Sequence, residues 1–158
     1  MSEHANSLGI EDYLRRYGML TYRFQGVSML PLLRQGRDDV TIRLCAEADI
    51  PKLKRGDVIL FKNYRGAYIL HRIVHVEEHE IITRGDNCAY SDQPIQSSQV
   101  LGILTGYTHN GRERTVEDRS YRAYSRYIAM TTPVRLVYKR ACIRLIELAR
   151  AMQTRFNG

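Results

Sequence analysis

The stretch Gly56-Asp57-Val58-Ile59-Leu60-Phe61-Lys62-Asn63-Tyr64-Arg65-Gly66-Ala67-Tyr68-Ile69-Leu70-His71-Arg72-Ile73-Val74-His75-Val76 decides the fold. Val58 to Phe61 is too short for a globular helix, and Tyr68 to Val76 is a long run of β-formers. The segment from Asn63 to Gly66 between them has turn composition, so the two runs read as a hairpin. Strand alternation puts Ile69, His71, Ile73 and His75 on one face of the second run and Leu70, Arg72, Val74 and Val76 on the other. A strand therefore holds His71 rigidly instead of leaving it on a loop.

The same signals extend in both directions. Leu20 to Phe24 and Val40 to Leu44 alternate as half-buried strands, and Ile81-Ile82-Thr83 follows a turn at Glu77 to Glu80. Val100 to Leu104 supplies a further strand. Ahead of them, Ile10, Tyr13, Leu14 and Tyr17 fall on one face of a short helix that Gly18 stops. The expected fold class is mainly β: a β domain over 20–117, preceded by a helical segment over 1–19 and followed by a basic amphipathic helical extension over 118–158.

That extension divides in two by sequence. Tyr121, Tyr124 and Tyr127 recur at helical spacing with Arg119, Arg122 and Arg126 between them, and Pro133 is expected to interrupt before a second helix from Val134 to about Phe156. Val134, Val137, Tyr138, Ala141, Leu145, Leu148, Ala149 and Met152 make an apolar stripe. Arg135, Lys139, Arg140, Arg144, Arg150 and Arg155 flank it, opposed only by Glu147. A helix of this kind is expected to bury its stripe on its own β domain. The alternative is that it lies on an anionic membrane.

Composition excludes several classes. The chain has 158 residues, is 44% hydrophobic and 26% charged, and fits one domain with an appendage. A formal charge of +7 favours acidic partners without choosing among them. Cys45, Cys88 and Cys142 are too widely spaced for a zinc site, and their odd number argues against a disulfide framework. No segment reaches the roughly 20 apolar residues that cross a bilayer, and the first residues lack a secretory signal layout. The expected location is cytoplasmic or peripherally membrane-associated.

The reactive residue types gather in a short span. Ser28 stands in Gly26-Val27-Ser28-Met29-Leu30-Pro31, where glycine permits close backbone approach and proline stiffens the segment just after the serine. A serine hydroxyl becomes a nucleophile when an oriented imidazole takes its proton, and His71 is the candidate base. Asp86 and Asp92 lie in the polar turn Thr83-Arg84-Gly85-Asp86-Asn87-Cys88-Ala89-Tyr90-Ser91-Asp92. Either supplies an acid to orient the ring. A rival use is metal binding by His71, His75 and His79, but positions four apart on a strand advance too far for one small site, at about 3.3 Å per residue. No metal and no organic cofactor is expected.

Ser28-Met29-Leu30-Pro31, Gly56-Asp57-Val58, His71-Arg72 and Gly85-Asp86-Asn87 with Asp92 resemble the ordered boxes of the type I signal peptidase family. The closest variety is its archaeal and endoplasmic-reticulum-like branch, which pairs serine with histidine. The resemblance covers about Tyr22 to Gly106. It implies a mainly β peptidase fold, Ser28 as nucleophile, His71 as general base, and Asp86 and Asp92 as the acidic residues of the site. Self-cleaving repressor peptidases share the serine box but use a lysine base, which is not present at position 71. Two departures stand out: the family's membrane-spanning anchor is lacking, and Leu32 stands where many members have threonine.

The resemblance implies an extended signal or leader peptide as substrate, cut through an acyl-enzyme. With no spanning anchor, an anionic membrane surface or a membrane protein partner is the expected attachment. The other class of function is a noncatalytic peptidase-like scaffold or a nucleic-acid-associated domain, the latter through Tyr/Arg stacking and phosphate contacts from Arg119 to Tyr127. Nucleic acid is not the expected partner, because no helix-turn-helix precedes the β domain.

Overall fold

A computed structural model describes residues 9–77 and 80–156. Helix α1 (Ile10–Tyr17) ends where Gly18 takes a left-handed conformation at φ 72° and returns its N–H to the Leu14 carbonyl, the role glycine fills without a Cβ penalty. The chain then runs through β1 (Met19–Arg23), β2 (Asp39–Leu44), β3 (Val58–Lys62), β4 (Tyr68–Val76), β5 (Ile81–Arg84), β6 (Val100–His109) and β7 (Arg112–Thr115). It ends in α2 (Arg119–Phe156). The architecture is a mixed α/β domain: a short N-terminal helix, a large antiparallel sheet and a long C-terminal helix.

The strands pair in the order β1-β2-β6-β3-β4-β5. β6 is long enough to hold two neighbours end to end along one edge, β3 at Val100 to Ile103 and β7 at Gly106 to His109. The central hairpin pairs Val58 with Arg72 and Ile59 with His71. Because β3 is buried on both faces, its four apolar residues feed two cores. Val58 and Leu60 join Leu14, Met29, Leu33, Val40, Ile42 and Tyr121, whereas Ile59 and Phe61 join Ile73, Ile81 and Ile95.

Three expectations need correction. The register shifts between Ile73 and His75, so alternation does not continue through Val74, and His75 instead meets exposed Glu77 at 2.8 Å. Pro133 does not divide the C-terminal extension either: α2 is one helix of 38 residues. Proline removes a single N–H, and the hydroxyls of Thr131 and Thr132 bond the Tyr127 and Ile128 carbonyls one turn back, at 2.8 and 2.6 Å. No metal cluster occurs among the described residues, and His79 and Glu78 lie outside them.

The largest departure concerns which face of α2 meets the sheet. Tyr121 and Ile128 are buried, and Tyr124 packs beside them. Beyond them the contacts are polar: Arg135 donates to the Asp86 carbonyl at 3.1 Å, Lys139 to the Asn87 carbonyl and to its side-chain oxygen, and Arg140 to the Ala89 carbonyl at 3.3 Å. The apolar stripe points away, leaving Val134 74% exposed, Val137 72% and Leu145 65%, and Met130, one turn before it, is 80% exposed. The side chains of Ala149 and Arg155 lie outside the described residues.

Candidate active site

Position 28 is set by burial on its flanks. Met29, Leu32 and Leu33 are sunk in the core, and the Leu33 N–H bonds the Met29 carbonyl at 3.0 Å, which fixes the turn that carries half-buried Ser28. The loop after β5 holds the same turn from the other side. The Asn87 N–H bonds the Ser28 carbonyl at 2.7 Å, and Asn87 Nδ2 bonds the Val27 carbonyl at 3.1 Å. Gly85 is where the pieces converge. A β-carbon there would stand 2.7 Å from the Ser28 carbonyl oxygen, 2.8 Å from Cys88 Sγ and 2.9 Å from His71 Nε2. Only glycine leaves room for all three.

His71 is buried beside Phe61, with ring centroids 6.5 Å apart in an edge-on arrangement. Its Nδ1 lies 2.7 Å from Asp92 Oδ2, and the Thr83 hydroxyl donates to the same oxygen at 2.6 Å. The Asp92 N–H in turn bonds the Thr83 carbonyl at 2.8 Å, so side chain and backbone fix the acid together. A carboxylate at Nδ1 assigns the ring proton to that nitrogen and leaves Nε2 as the basic site of the neutral ring. Burial of the ring favours its neutral form, but the hydrogen bonds to Asp92 and Cys88 outweigh it, and the pKa is pushed up to about 9.

Asp86 has a different employment. Its two carboxylate oxygens accept from Arg72 Nε at 2.8 Å and Arg72 Nη2 at 2.7 Å, and the Tyr124 hydroxyl donates to it at 3.0 Å. The pair is almost sealed from solvent, with side-chain exposures of 5% and 1%. Burial works against the Arg72 charge, and the bonds to Asp86 overcome this and raise its pKa. Arg72 Nη1 also donates to the Gly56 carbonyl and the Ser125 hydroxyl, both at 2.8 Å, tying the hairpin to α2. Tyr121 and Tyr124 lie against this guanidinium, each with its ring centroid 5.7 Å from the Arg72 carbon. Those two rings are turned toward the sheet, whereas Tyr127 of the same pattern is exposed.

The structure therefore brings the Ser28 backbone, His71 and Asp92 to one side of β4 and places Asp86 on the other. The Ser28 hydroxyl makes no hydrogen bond to the ring among the described residues, and the Cys88 thiol lies on the Nε2 side. Sequence reasoning missed Thr83, Cys88 and the Arg72–Asp86 pair. Thr83 stands opposite Ile73 across β4 and β5, a register that only the structure supplies. No protein-family model matches the chain, and no curated protein matches it significantly.

Proposed function

We propose that the protein is a serine endopeptidase that cleaves a signal or leader peptide, with Ser28 as nucleophile, His71 as general base and Asp92 as the residue that orients the base. The observation that carries this reading is the Asp92–His71 contact, which directs Nε2 toward Gly85 and the serine turn. The ordered boxes that resemble type I signal peptidases support the same assignment.

In this mechanism the Ser28 hydroxyl reaches Nε2, the nitrogen beside which Cys88 Sγ also lies. His71 then takes the proton as the oxygen attacks a peptide carbonyl, and backbone amides of the serine turn stabilise the tetrahedral oxyanion. The imidazolium returns its proton to the leaving amine, and water, deprotonated by the same ring, releases the acyl group. β1 lies at an edge of the sheet and leads directly into the serine turn, so the substrate strand adds there with alternate side chains read by small pockets. Asp86 acts here as a positioning residue. Incubating wild type and Ser28→Ala with a leader-peptide library, with products read by mass spectrometry, tests the reading. Cleavage by the wild type alone supports it, and equal products from both proteins reject it.

The reaction belongs at an anionic membrane surface, reached through α2. No helix among the described residues is long and apolar enough to cross a membrane. The outward stripe is flanked by exposed Arg122, Arg126 and Arg144, and α2 contains one acid, Glu147. Two copies joined along this stripe would bring cation against cation, whereas anionic lipid complements it. Tyr127 and Tyr138 are exposed on the same side and suit the headgroup level. The full chain is expected to sediment with phosphatidylcholine vesicles containing phosphatidylglycerol, and Val137→Asp/Leu145→Asp to stay in solution. Sedimentation of neither protein, or a wild-type dimer that the double substitution makes monomeric, overturns this placement.

A further inference from the structure

β4 and β5 set Arg72 directly opposite Arg84. Like charges in register repel, and such pairs are tolerated when each finds an acid. Arg72 has Asp86, but no carboxylate pairs with Arg84 among the described residues. Burial pushes the Arg84 pKa down, nearby Arg140 and Arg55 push it the same way, and only Asp86 and Cys88 oppose them. Arg84 borders a cavity of about 360 Å³ between the hairpin and α2, also lined by Arg55, Arg126 and the mutually paired Arg72 and Asp86 and, on its apolar side, by Val74, Ile128 and Ala129. Arg55 and Arg126 likewise have no acidic partner among the described residues. The volume lies toward the small end of ligand pockets, about 300–1,000 Å³.

We infer that this cavity is a binding site for a small organic oxyanion, a carboxylate or phosphate that carries a short apolar group. The guanidinium of Arg84 receives the anion in the bidentate manner arginine favours, with Arg55 and Arg126 closing around it. The apolar group lies against Val74, Ile128 and Ala129. The site sits on the Arg72 side of β4, apart from Ser28 and His71, and its occupation is independent of the peptidase reading. A bound anion bridges β5 to α2.

Isothermal titration calorimetry of the full chain with n-butyl phosphate and with butyrate, at ionic strength matched with chloride, tests the inference. Saturable one-site binding is expected for at least one of them, weakened tenfold or more in Arg84→Gln, since one charge-assisted bidentate contact contributes about 1.5–3 kcal/mol. Arg112→Gln, on exposed β7, is expected to bind as the wild type does. Arg84→Gln is expected to melt in chloride no lower than the wild type, because it removes an unpaired charge. Absence of saturable heat with both anions overturns the site, as does undiminished binding by Arg84→Gln. Inorganic phosphate binding as tightly as butyl phosphate overturns the role of the apolar wall.

Discussion

His71 and Arg72 are neighbours on one strand, and each meets an aspartate from the same loop, yet the two pairs have opposite properties. Arg72 and Asp86 are both nearly sealed from solvent, and the guanidinium stays charged throughout the accessible pH range. His71 and Asp92 are more open, with side-chain exposures of 9% and 25%, and the imidazole titrates within reach of ordinary buffers. Strand alternation sends one pair to each face. The fixed pair braces the loop from behind while the titratable pair stands at its front; in the proposed reaction the permanent ion pair would supply the rigidity that a proton-transfer pair needs.

Breaking the front pair is expected to remove chemistry at a smaller cost to the fold than breaking the back pair. His71→Ala should lower kcat by about 10⁴-fold or more, since loss of a base leaves only binding and oxyanion stabilisation. Asp92→Asn should lower kcat by about 10³–10⁴-fold, because the amide no longer enforces the tautomer. Breaking the back pair should do the reverse. Asp86→Asn leaves the buried Arg72 without its counter-charge and is expected to destabilise by about 3–5 kcal/mol in denaturant melts, with lost activity recovered in whatever fraction folds. A stable Asp86→Asn protein with no activity would instead make Asp86 part of the chemistry.

The smallest expected effect is the sharpest measure of the front pair. Because Cys88 helps hold the His71 pKa up, Cys88→Ala should move the ring's titration below its starting point near pH 9, followed by NMR of the imidazole. In the wild type, kcat/KM should rise with pH toward that value as Nε2 becomes basic. Stability runs the other way. A pKa raised from 6.5 to about 9 gives a contribution that is complete below pH 6.5 and is lost as pH rises through about 9.

The strands were legible because each has alternation or a run too short for a helix, and α1 because Gly18 ends an amphipathic turn pattern. β7 was not: Arg112-Glu113-Arg114-Thr115 has no apolar residue, and it forms only because the Asn110-Gly111 turn, with both residues at positive φ, folds it back on β6. That dipeptide was the available signal. At the site, Ser28 and His71 could be nominated from residue type and order, but the choice between Asp86 and Asp92 depended on the loop's path around β4. The facing of α2 was hidden for a similar reason. Carbonyls of residues 86, 87 and 89 attract its arginines and lysine, and no periodicity in the helix records them.

Asn87 binds the serine turn through both its backbone and its side chain, and it sits in the loop that also supplies Asp92. In the proposed reaction, nucleophile and base-orienting acid would therefore share one splint, so a displacement of the loop would move the serine turn with it.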